Sequence, residues 1–154
     1  MLTSVRGSAI AALCLIGVLS LPEPTLAETP GSIIRISSNS GGRIGDFMVR
    51  LRQYRKQGNL VQFSGSCDSA CTLLLALPRA NTCITSGAVF RFHAPTAASA
   101  RTGQAAKRYM MAQYPGWVRN WIASNNGLTT QLISMNYSYA SKFMRSCNNV
   151  VASR

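Results

Sequence analysis

Two side chains of this sequence have the chemistry to cleave an acyl bond together. Ser69 stands within the stretch SGSCDSACTLLLAL, and His93, the sole histidine of the 154 residues, stands within VFRFHAP. A serine hydroxyl becomes a nucleophile when a base removes its proton, and histidine is the side chain that changes its protonation near neutral pH. The pair therefore predicts a nucleophile, Ser69, and a general base, His93.

An acyl-transfer site also needs N–H donors where negative charge develops on the substrate oxygen. The Ala70 amide directly follows the serine at the start of a predicted helix, where N–H groups lack intrahelical partners. Gly41 and Gly42 lie in SNSGG, and glycine permits the close backbone approach that such a donor requires. We expect Gly41 or Gly42 to form an oxyanion hole with Ala70.

Each of these features also has a purely structural explanation. Serine caps helix N-termini well without catalysing anything, so Ser69 fits a capping role too. A histidine at a strand end is ordinarily held by structural hydrogen bonds, and a pair of glycines is ordinarily a turn. The catalytic interpretation therefore depends on whether the fold brings Ser69, His93 and the glycines together.

The elements predicted around these residues follow an α/β pattern. Residues 44–54 carry an apolar stripe at helical spacing that ends at Gly58. Residues 64–68 are predicted as a turn, and residues 70–77 as a buried helix. The β-rich runs predicted as strands are residues 32–37, 60–63, 82–85 and 88–92. Alternating strands and helices predict parallel pairing through right-handed crossovers, and thus one small layered domain over residues 28–154.

The C-terminal part is predicted to be helical. Residues 95–103 are rich in Ala, Ser and Thr and are predicted as a connector. Helices are predicted over residues 104–114 and 117–124, and a further one that begins near Thr129 or Thr130 and runs through residue 135. We therefore expect helices to pack beside the sheet after residue 103.

Residues 1–27 have the pattern of a secretory signal peptide. Arg6 precedes an apolar run over residues 9–21, and Thr-Leu-Ala at 25–27 is a small-residue cleavage site. The alternative is an uncleaved membrane anchor, although the apolar run is short for a transmembrane span. The pattern predicts an exported protein, periplasmic or secreted.

Four cysteines remain after residue 27: Cys67, Cys71, Cys83 and Cys147. An even number of cysteines in an exported domain favours disulfide bonds, and the sequence leaves three pairings open. A zinc site is the alternative, but one histidine and three acids offer few further ligands. We expect two disulfides, no metal and no cofactor.

The charge is strongly positive. After residue 27 there are 15 Lys and Arg against Glu28, Asp46 and Asp68, a net charge of +12. Such a surface attracts polyanions, including anionic lipid and envelope polymers. Because the basic residues are scattered and do not alternate with aromatic residues, nucleic acid is not the favoured partner.

Three motifs together resemble the Clp protease proteolytic subunit of the crotonase-like superfamily. SNSGG resembles its glycine-rich turn, SGSCDSACTLLLAL its nucleophile turn and following helix, and VFRFHAP its strand that ends at the catalytic histidine. The Cys67-x-Ser-x-Cys71 arrangement is similar to that of secreted, cysteine-containing relatives. The resemblance covers residues 32–95 and implies hydrolysis of peptide or ester bonds, the roles given above for Ser69 and His93, and a homo-oligomer.

The sequence departs from that family at the third catalytic residue. The family has an acid on the helical segment after the histidine, whereas this chain has no Asp or Glu beyond Asp68. Asn136 could orient the imidazole through its amide oxygen, and a backbone carbonyl or water could do the same. Two functions fit: a serine hydrolase with a Ser-His dyad, and a non-catalytic module that binds anionic envelope components.

Overall fold

Residues 31–148 are the part of the chain that the computed structural model describes, and they form a sheet flanked by helices. The predicted signal peptide lies outside the described residues. The strands are β1 (Ile33–Asn39), β2 (Leu60–Asp68), β3 (Thr82–Ile84), β4 (Val89–Phe92), β5 (Ile133–Asn136) and β6 (Arg145–Ser146). The α-helices are α1 (Ile44–Gln57), α2 (Ala100–Gln113), α3 (Gly116–Ser124) and α4 (Tyr137–Ala140). Two 3₁₀ helices cover Ser69–Ala76 and Arg79–Asn81. No helix within residues 31–148 has the length and apolarity to cross a membrane.

Strand β2 is the centre of the sheet. One of its edges pairs in parallel with β1. Its other edge pairs in parallel with β3 through residues 61–63 and with β4 through residues 66–68. Strand β6 extends the sheet in parallel beside β3, and β5 lies antiparallel beside β4. The predicted α/β fold class, with a mainly parallel sheet, is confirmed.

Helix α1 forms for local reasons. Its buried side chains recur at helical spacing and belong to the hydrophobic core: Phe47, Met48, Leu51 and Tyr54. Asp46 lies in the first turn, and Arg55 and Lys56 lie in the last, so both ends carry charges that suit the helix dipole. Gly58 ends the helix in the left-handed conformation, with φ of 67°.

Strand β2 is longer than predicted, because residues 64–68 continue the strand instead of turning. Position 65 of this strand has to be glycine. A Cβ at this position would overlap the Ser37 carbonyl oxygen of β1, so the two backbones pack closer than a side chain allows. The register of β1 against β2 also shifts between Ile36 and Ser38.

The helix predicted through residue 135 is wrong, because Ile133–Asn136 forms strand β5. Ile133 lies opposite Phe92, and Met135 lies opposite Phe90. Strand β4 would otherwise leave its outer backbone groups unpaired, and pairing with β5 satisfies them. Helices α2 and α3 lie where helices were predicted, except that α2 begins at Ala100, within the predicted connector, where the Ser99 side chain caps it.

The four cysteines form two disulfides, which resolves the three open pairings. Cys67 pairs with Cys71 across the start of the first 3₁₀ helix. Cys83 of β3 pairs with Cys147, which follows β6, at a sequence separation of 64. All four cysteine residues are buried. One bridge therefore braces a local turn, and the other ties the C-terminal part of the described chain to the sheet.

Candidate active site

Three strand ends meet at one edge of the sheet. Gly41 lies two residues beyond the end of β1, Ser69 directly follows β2, and His93 directly follows β4. The registers hold these ends together, since Asn39 lies opposite Cys67 and Asp68 lies opposite Arg91. Parallel strands place their carboxyl ends at the same edge, which is where α/β proteins commonly bind ligands.

Gly41 is in direct backbone contact with the Ser69 turn. A Cβ at Gly41 would lie 2.6 Å from the Asp68 carbonyl oxygen, 2.8 Å from the Ser69 Cβ and 3.0 Å from the Ala70 nitrogen. Gly41 also has a φ of 87°, which L side chains rarely adopt. Only glycine satisfies both demands, so the close contact between the glycine turn and the serine turn requires glycine at position 41.

Ser69 itself has a left-handed backbone conformation, with φ of 55°. Non-glycine residues rarely hold this conformation, and it concentrates at functional sites. The Thr72 hydroxyl donates to the Ser69 carbonyl oxygen at 2.6 Å, and the Tyr114 hydroxyl lies 2.6 Å from the Thr72 Oγ1. Because threonine has one hydroxyl proton and gives it to Ser69, Tyr114 is the donor to Thr72.

The Tyr114 hydroxyl is suited to that donor role. Burial raises the pKa of Tyr114 far above its ordinary value, because it disfavours the charged phenolate. The phenol therefore stays protonated and keeps donating across the neutral and mildly alkaline range. A chain of two hydrogen bonds from the core thus reaches the Ser69 carbonyl.

The Cys67–Cys71 disulfide spans the same turn. The two Cα atoms are 5.4 Å apart, and Ser69 is the middle residue of the five that the bridge encloses. Both cysteines are fully buried, whereas Ser69 is half-buried. The bridge and the Thr72 hydrogen bond together restrict the Ser69 backbone while its side chain remains reachable.

The His93 ring is oriented by a backbone carbonyl. Its Nδ1 lies 2.7 Å from the Ala94 carbonyl oxygen, and a carbonyl can only accept, so Nδ1 carries the proton. The Nε2 atom is then the basic nitrogen, as a general base requires. The Ala94 N–H donates to the Thr129 carbonyl at 2.6 Å, which fixes the segment that carries the ring.

Ser69 and His93 line one open cavity of about 370 Å³. Its other lining residues are Gly42, Arg43, Ile44, Pro95, Thr96 and Met110. Within the described residues, no direct hydrogen bond joins the Ser69 hydroxyl to His93. Catalytic hydrogen bonds are often long in the absence of substrate, and the shared cavity is the feature that relates the two groups.

The N–H groups predicted for an oxyanion hole differ in their present partners. The Gly41 N–H donates to the Asn39 Oδ1 at 2.9 Å and is therefore engaged. The Gly42 N–H makes no hydrogen bond to any described residue, and Gly42 lines the cavity. Ala70 is the second residue of its 3₁₀ helix, where N–H groups lack helical partners.

The structure does not bring Asn136 to His93. Asn136 lies opposite Val89, at the far end of β4, and its Oδ1 accepts hydrogen bonds from the Ser138 hydroxyl and the Tyr139 N–H. Its amide oxygen therefore caps α4.

Asp68 is not a partner of the imidazole either. Its Oδ2 lies 3.1 Å from Arg91. The Ala94 carbonyl holds the imidazole instead, and sequence reasoning could not single it out because every residue has a carbonyl. Thr72 and Tyr114 were also missed, although a threonine inside the apolar run that follows Ser69 is a signal for a buried hydrogen bond.

The sequence matches no protein-family model and no curated protein. The fold is similar to that of a protein described only as an enzyme, with a TM-score of 0.52, 10% identity, and coverage of 75% of this chain and 77% of that one. A peptidase from Plasmodium falciparum has a TM-score of 0.49 at 12% identity, with 75% of each chain covered. A mutant of ClpP1 from Listeria monocytogenes has a TM-score of 0.46 at 11% identity, with 78% of each chain covered. At these identities the likeness concerns the α/β fold alone.

Proposed function

We propose that this chain is an exported serine hydrolase with a Clp protease-like fold, which cleaves peptide or ester bonds with Ser69 and His93. The observation that carries the proposal is the cavity shared by Ser69, His93 and Gly42 at the carboxyl ends of the strands. The left-handed backbone of Ser69 and the contact of Gly41 with its turn support the same interpretation.

The proposed reaction proceeds in two stages. The His93 Nε2 accepts the Ser69 hydroxyl proton while Oγ attacks the substrate carbonyl carbon, and the Gly42 and Ala70 N–H groups stabilise the resulting oxyanion. The imidazolium then gives its proton to the leaving amine or alcohol as the acyl bond breaks. Water, deprotonated by His93, attacks the acyl-serine and releases the acid and the free Ser69 hydroxyl.

The Ala94 carbonyl takes the place of the family's third acid in this proposal. It holds the Nδ1–H and so fixes the tautomer that leaves Nε2 basic. A carbonyl dipole stabilises the imidazolium less than a carboxylate does. Loss of the acid from a related triad lowers the rate by about 10⁴-fold, so we expect slow turnover from the dyad.

Labelling with a fluorophosphonate probe tests the proposal, because the probe reacts with an activated serine and needs no known substrate. We expect labelling of the wild type that disappears in Ser69→Ala, which lacks the nucleophile, and in His93→Ala, which lacks the base. Ser66→Ala, three residues away on β2, is the matched control and should be labelled like the wild type. A folded wild type that is not labelled at any pH would overturn the proposal.

The second candidate function is a non-catalytic module that binds anionic envelope polymer or lipid. The charge favours it: residues 31–148 hold 14 Lys and Arg against Asp46 and Asp68. Arg50, Arg52 and Lys56 lie exposed on α1. Retention on an anionic polymer that decreases with salt and is unchanged in Ser69→Ala would support it. Nucleic acid is not proposed as the partner, because net charge is the single feature that would favour it and no other feature supports it.

Export and self-association are parts of the same proposal. Two disulfides support an oxidising compartment, the periplasm or the medium. A homo-oligomer follows from the family resemblance, and Ile33 and Leu132 are large apolar side chains left exposed. Light scattering of the purified protein would give the mass in solution, and a monomer at micromolar concentration would contradict this part.

A further inference from the structure

Among the described residues that line the Ser69 cavity, Arg43 is the one with a permanent charge. Apart from the polar side chains of Ser69, His93 and Thr96, the cavity's walls are apolar or small, with Ile44, Pro95 and Met110 among them. None of the described residues that line it carries a carboxylate. A substrate group placed beside Ser69 would therefore meet the charged Arg43 and the His93 ring in a cavity whose other walls are largely apolar.

The Arg43 backbone is fixed, whereas its guanidinium group is free. Arg43 precedes α1, and its carbonyl accepts from the Asp46 N–H at 3.2 Å and the Phe47 N–H at 3.4 Å. Within the described residues, its guanidinium makes no hydrogen bond or ion pair. Of the two acids in the described part of the chain, Asp46 makes no ion pair and Asp68 pairs with Arg91 at 3.1 Å. In the described part of the chain, the Arg43 guanidinium is thus not paired with any acid.

We infer that the site selects substrates with a carboxylate on the amino acid or acyl group that bears the scissile carbonyl, and that Arg43 binds this carboxylate. The inference rests on the proposed function. A guanidinium donates two parallel hydrogen bonds to a carboxylate, which gives orientation as well as attraction. Two kinds of molecule supply this chemistry: peptides with Glu or Asp at the cleavage site, and half-esters of dicarboxylic acids.

Paired reporters test the inference. One pair consists of fluorogenic peptide amides that differ only in Glu or Gln before the scissile bond. The other consists of aryl esters of succinate and of succinamate. We expect the wild type to favour the acidic member by about tenfold in kcat/KM, the order expected from a charge-assisted hydrogen bond at a partly exposed site. The pair that shows the preference identifies the substrate type.

Substitutions at Arg43 should change the preference while the chemistry remains. Arg43→Gln should hydrolyse both members of a pair equally, and Arg43→Glu should favour a Lys-bearing peptide over the Glu peptide. Arg52→Gln is the matched control, because Arg52 is exposed on α1 and does not line the cavity. It removes the same charge and should keep the tenfold preference. Equal hydrolysis by the wild type, or a preference that persists in Arg43→Gln, overturns the inference and leaves the proposed function standing.

A binding measurement separates the two hypotheses if no reporter is hydrolysed. Fluorescence anisotropy would compare binding of labelled Glu and Gln peptides to Ser69→Ala, with and without Arg43→Gln. Tighter binding of the Glu peptide that depends on Arg43 would support the carboxylate site while the hydrolase proposal fails. Binding that does not depend on Arg43 would overturn the inference as well.

Discussion

The Ser69 side chain lines the cavity, and its backbone has a left-handed conformation that neighbouring contacts must stabilise. A left-handed conformation costs a non-glycine residue about 1–2 kcal/mol, so neighbouring contacts have to favour it. Thr72 supplies one such contact by donating to the Ser69 carbonyl, and Tyr114 keeps the Thr72 hydroxyl directed that way. The buried hydroxyl groups of Thr72 and Tyr114 therefore help to hold the backbone that directs the Ser69 side chain.

Thr72→Val should release the Ser69 carbonyl at nearly constant volume. We expect a loss of about 1–2 kcal/mol in the free energy of unfolding and slower fluorophosphonate labelling, because a buried hydrogen bond is lost and Ser69 is less well held. Chemical denaturation and labelling rates measure the two effects. Thr82→Val, at another buried threonine, controls for the loss of a hydroxyl. Labelling of Thr72→Val at the wild-type rate would show that the hydrogen bond does not position Ser69.

Tyr114 should make stability fall in alkali. Burial raises the pKa of Tyr114 in the folded state, whereas in the unfolded state the phenol titrates near its ordinary value of about 10. Above about pH 10 the unfolded state therefore loses this proton first, and the free energy of unfolding decreases as pH rises. Below about pH 10 both states keep the proton, and this group contributes no slope.

Tyr114→Phe removes the titrating group and tests that expectation. Urea unfolding between pH 8 and pH 11 should give a shallower decrease in stability for the variant than for the wild type. At pH 8 the variant should be less stable by about 1 kcal/mol, because Thr72 loses its donor. Equal slopes above pH 10 would mean that Tyr114 ionises freely in the folded protein.

At the scale of elements, the site is built by three strand ends and two turns in contact. Strands β1, β2 and β4 end together, and the glycine turn after β1 packs on the serine turn after β2. The contact is so close that no side chain fits between the turns. This arrangement makes the separation of the two turns sensitive to a single methyl group.

Gly41→Ala should disrupt the site more than its backbone strain alone would. The new Cβ would lie 2.6 Å from the Asp68 carbonyl oxygen and 2.8 Å from the Ser69 Cβ. We expect loss of labelling and a destabilisation of more than 1 kcal/mol. Gly58→Ala is the matched control, since Gly58 has a similar φ of 67° and nothing within 4 Å of an added Cβ. That variant should lose about 1 kcal/mol and keep its labelling; equal behaviour of the two variants would contradict the contact argument.

The elements that the sequence predicts well are those determined by their own residues. Helix α1 follows from its apolar spacing and from Gly58, and both features are local. Residues 64–68, predicted as a turn, belong to strand β2, because Gly65 lets β1 approach. Strand β5 was read as a helix because its partner, β4, is about 40 residues away in the chain, and only pairing decides it.

The same distinction holds for the candidate site. The positions of Ser69, His93 and the glycines at strand ends were predictable, since turn residues and parallel pairing fix where a strand delivers its next side chain. The partner of the imidazole was not predictable. Asn136 was predicted from its residue type, but the strand register places it at the end of β4 that is far from His93. The actual partner is the Ala94 carbonyl, and a backbone carbonyl has no signature in a sequence.

Two disulfides stabilise the molecule, and they differ in the length of the loop that each one closes. The Cys83–Cys147 bridge closes a long loop, and removing it should cost about 4 kcal/mol in chain entropy. The Cys67–Cys71 bridge closes a short one and should contribute about 2 kcal/mol. The long-range bridge is thus the larger source of stability, and the short one is the bridge that touches the site.

Paired variants separate these tasks. Replacing both Cys83 and Cys147 by Ala should lower the unfolding midpoint most while the folded protein is still labelled at Ser69. Replacing both Cys67 and Cys71 should lower it less but slow the labelling, because the Ser69 turn loses its brace. Denaturant unfolding and labelling under folded conditions measure the two effects. The reverse pattern would show that the short bridge is structural and the long one supports the site.

The long-range bridge also determines what a cut in the chain would release. Residues 96–99 are exposed between β4 and α2, and Cys83 and Cys147 lie on opposite sides of them. A protease that hydrolyses one peptide bond there would leave a single covalent particle, heavier than the intact chain by one water. Two fragments would separate only on a reducing gel. The proposed nucleophile and base would both stay on the N-terminal fragment.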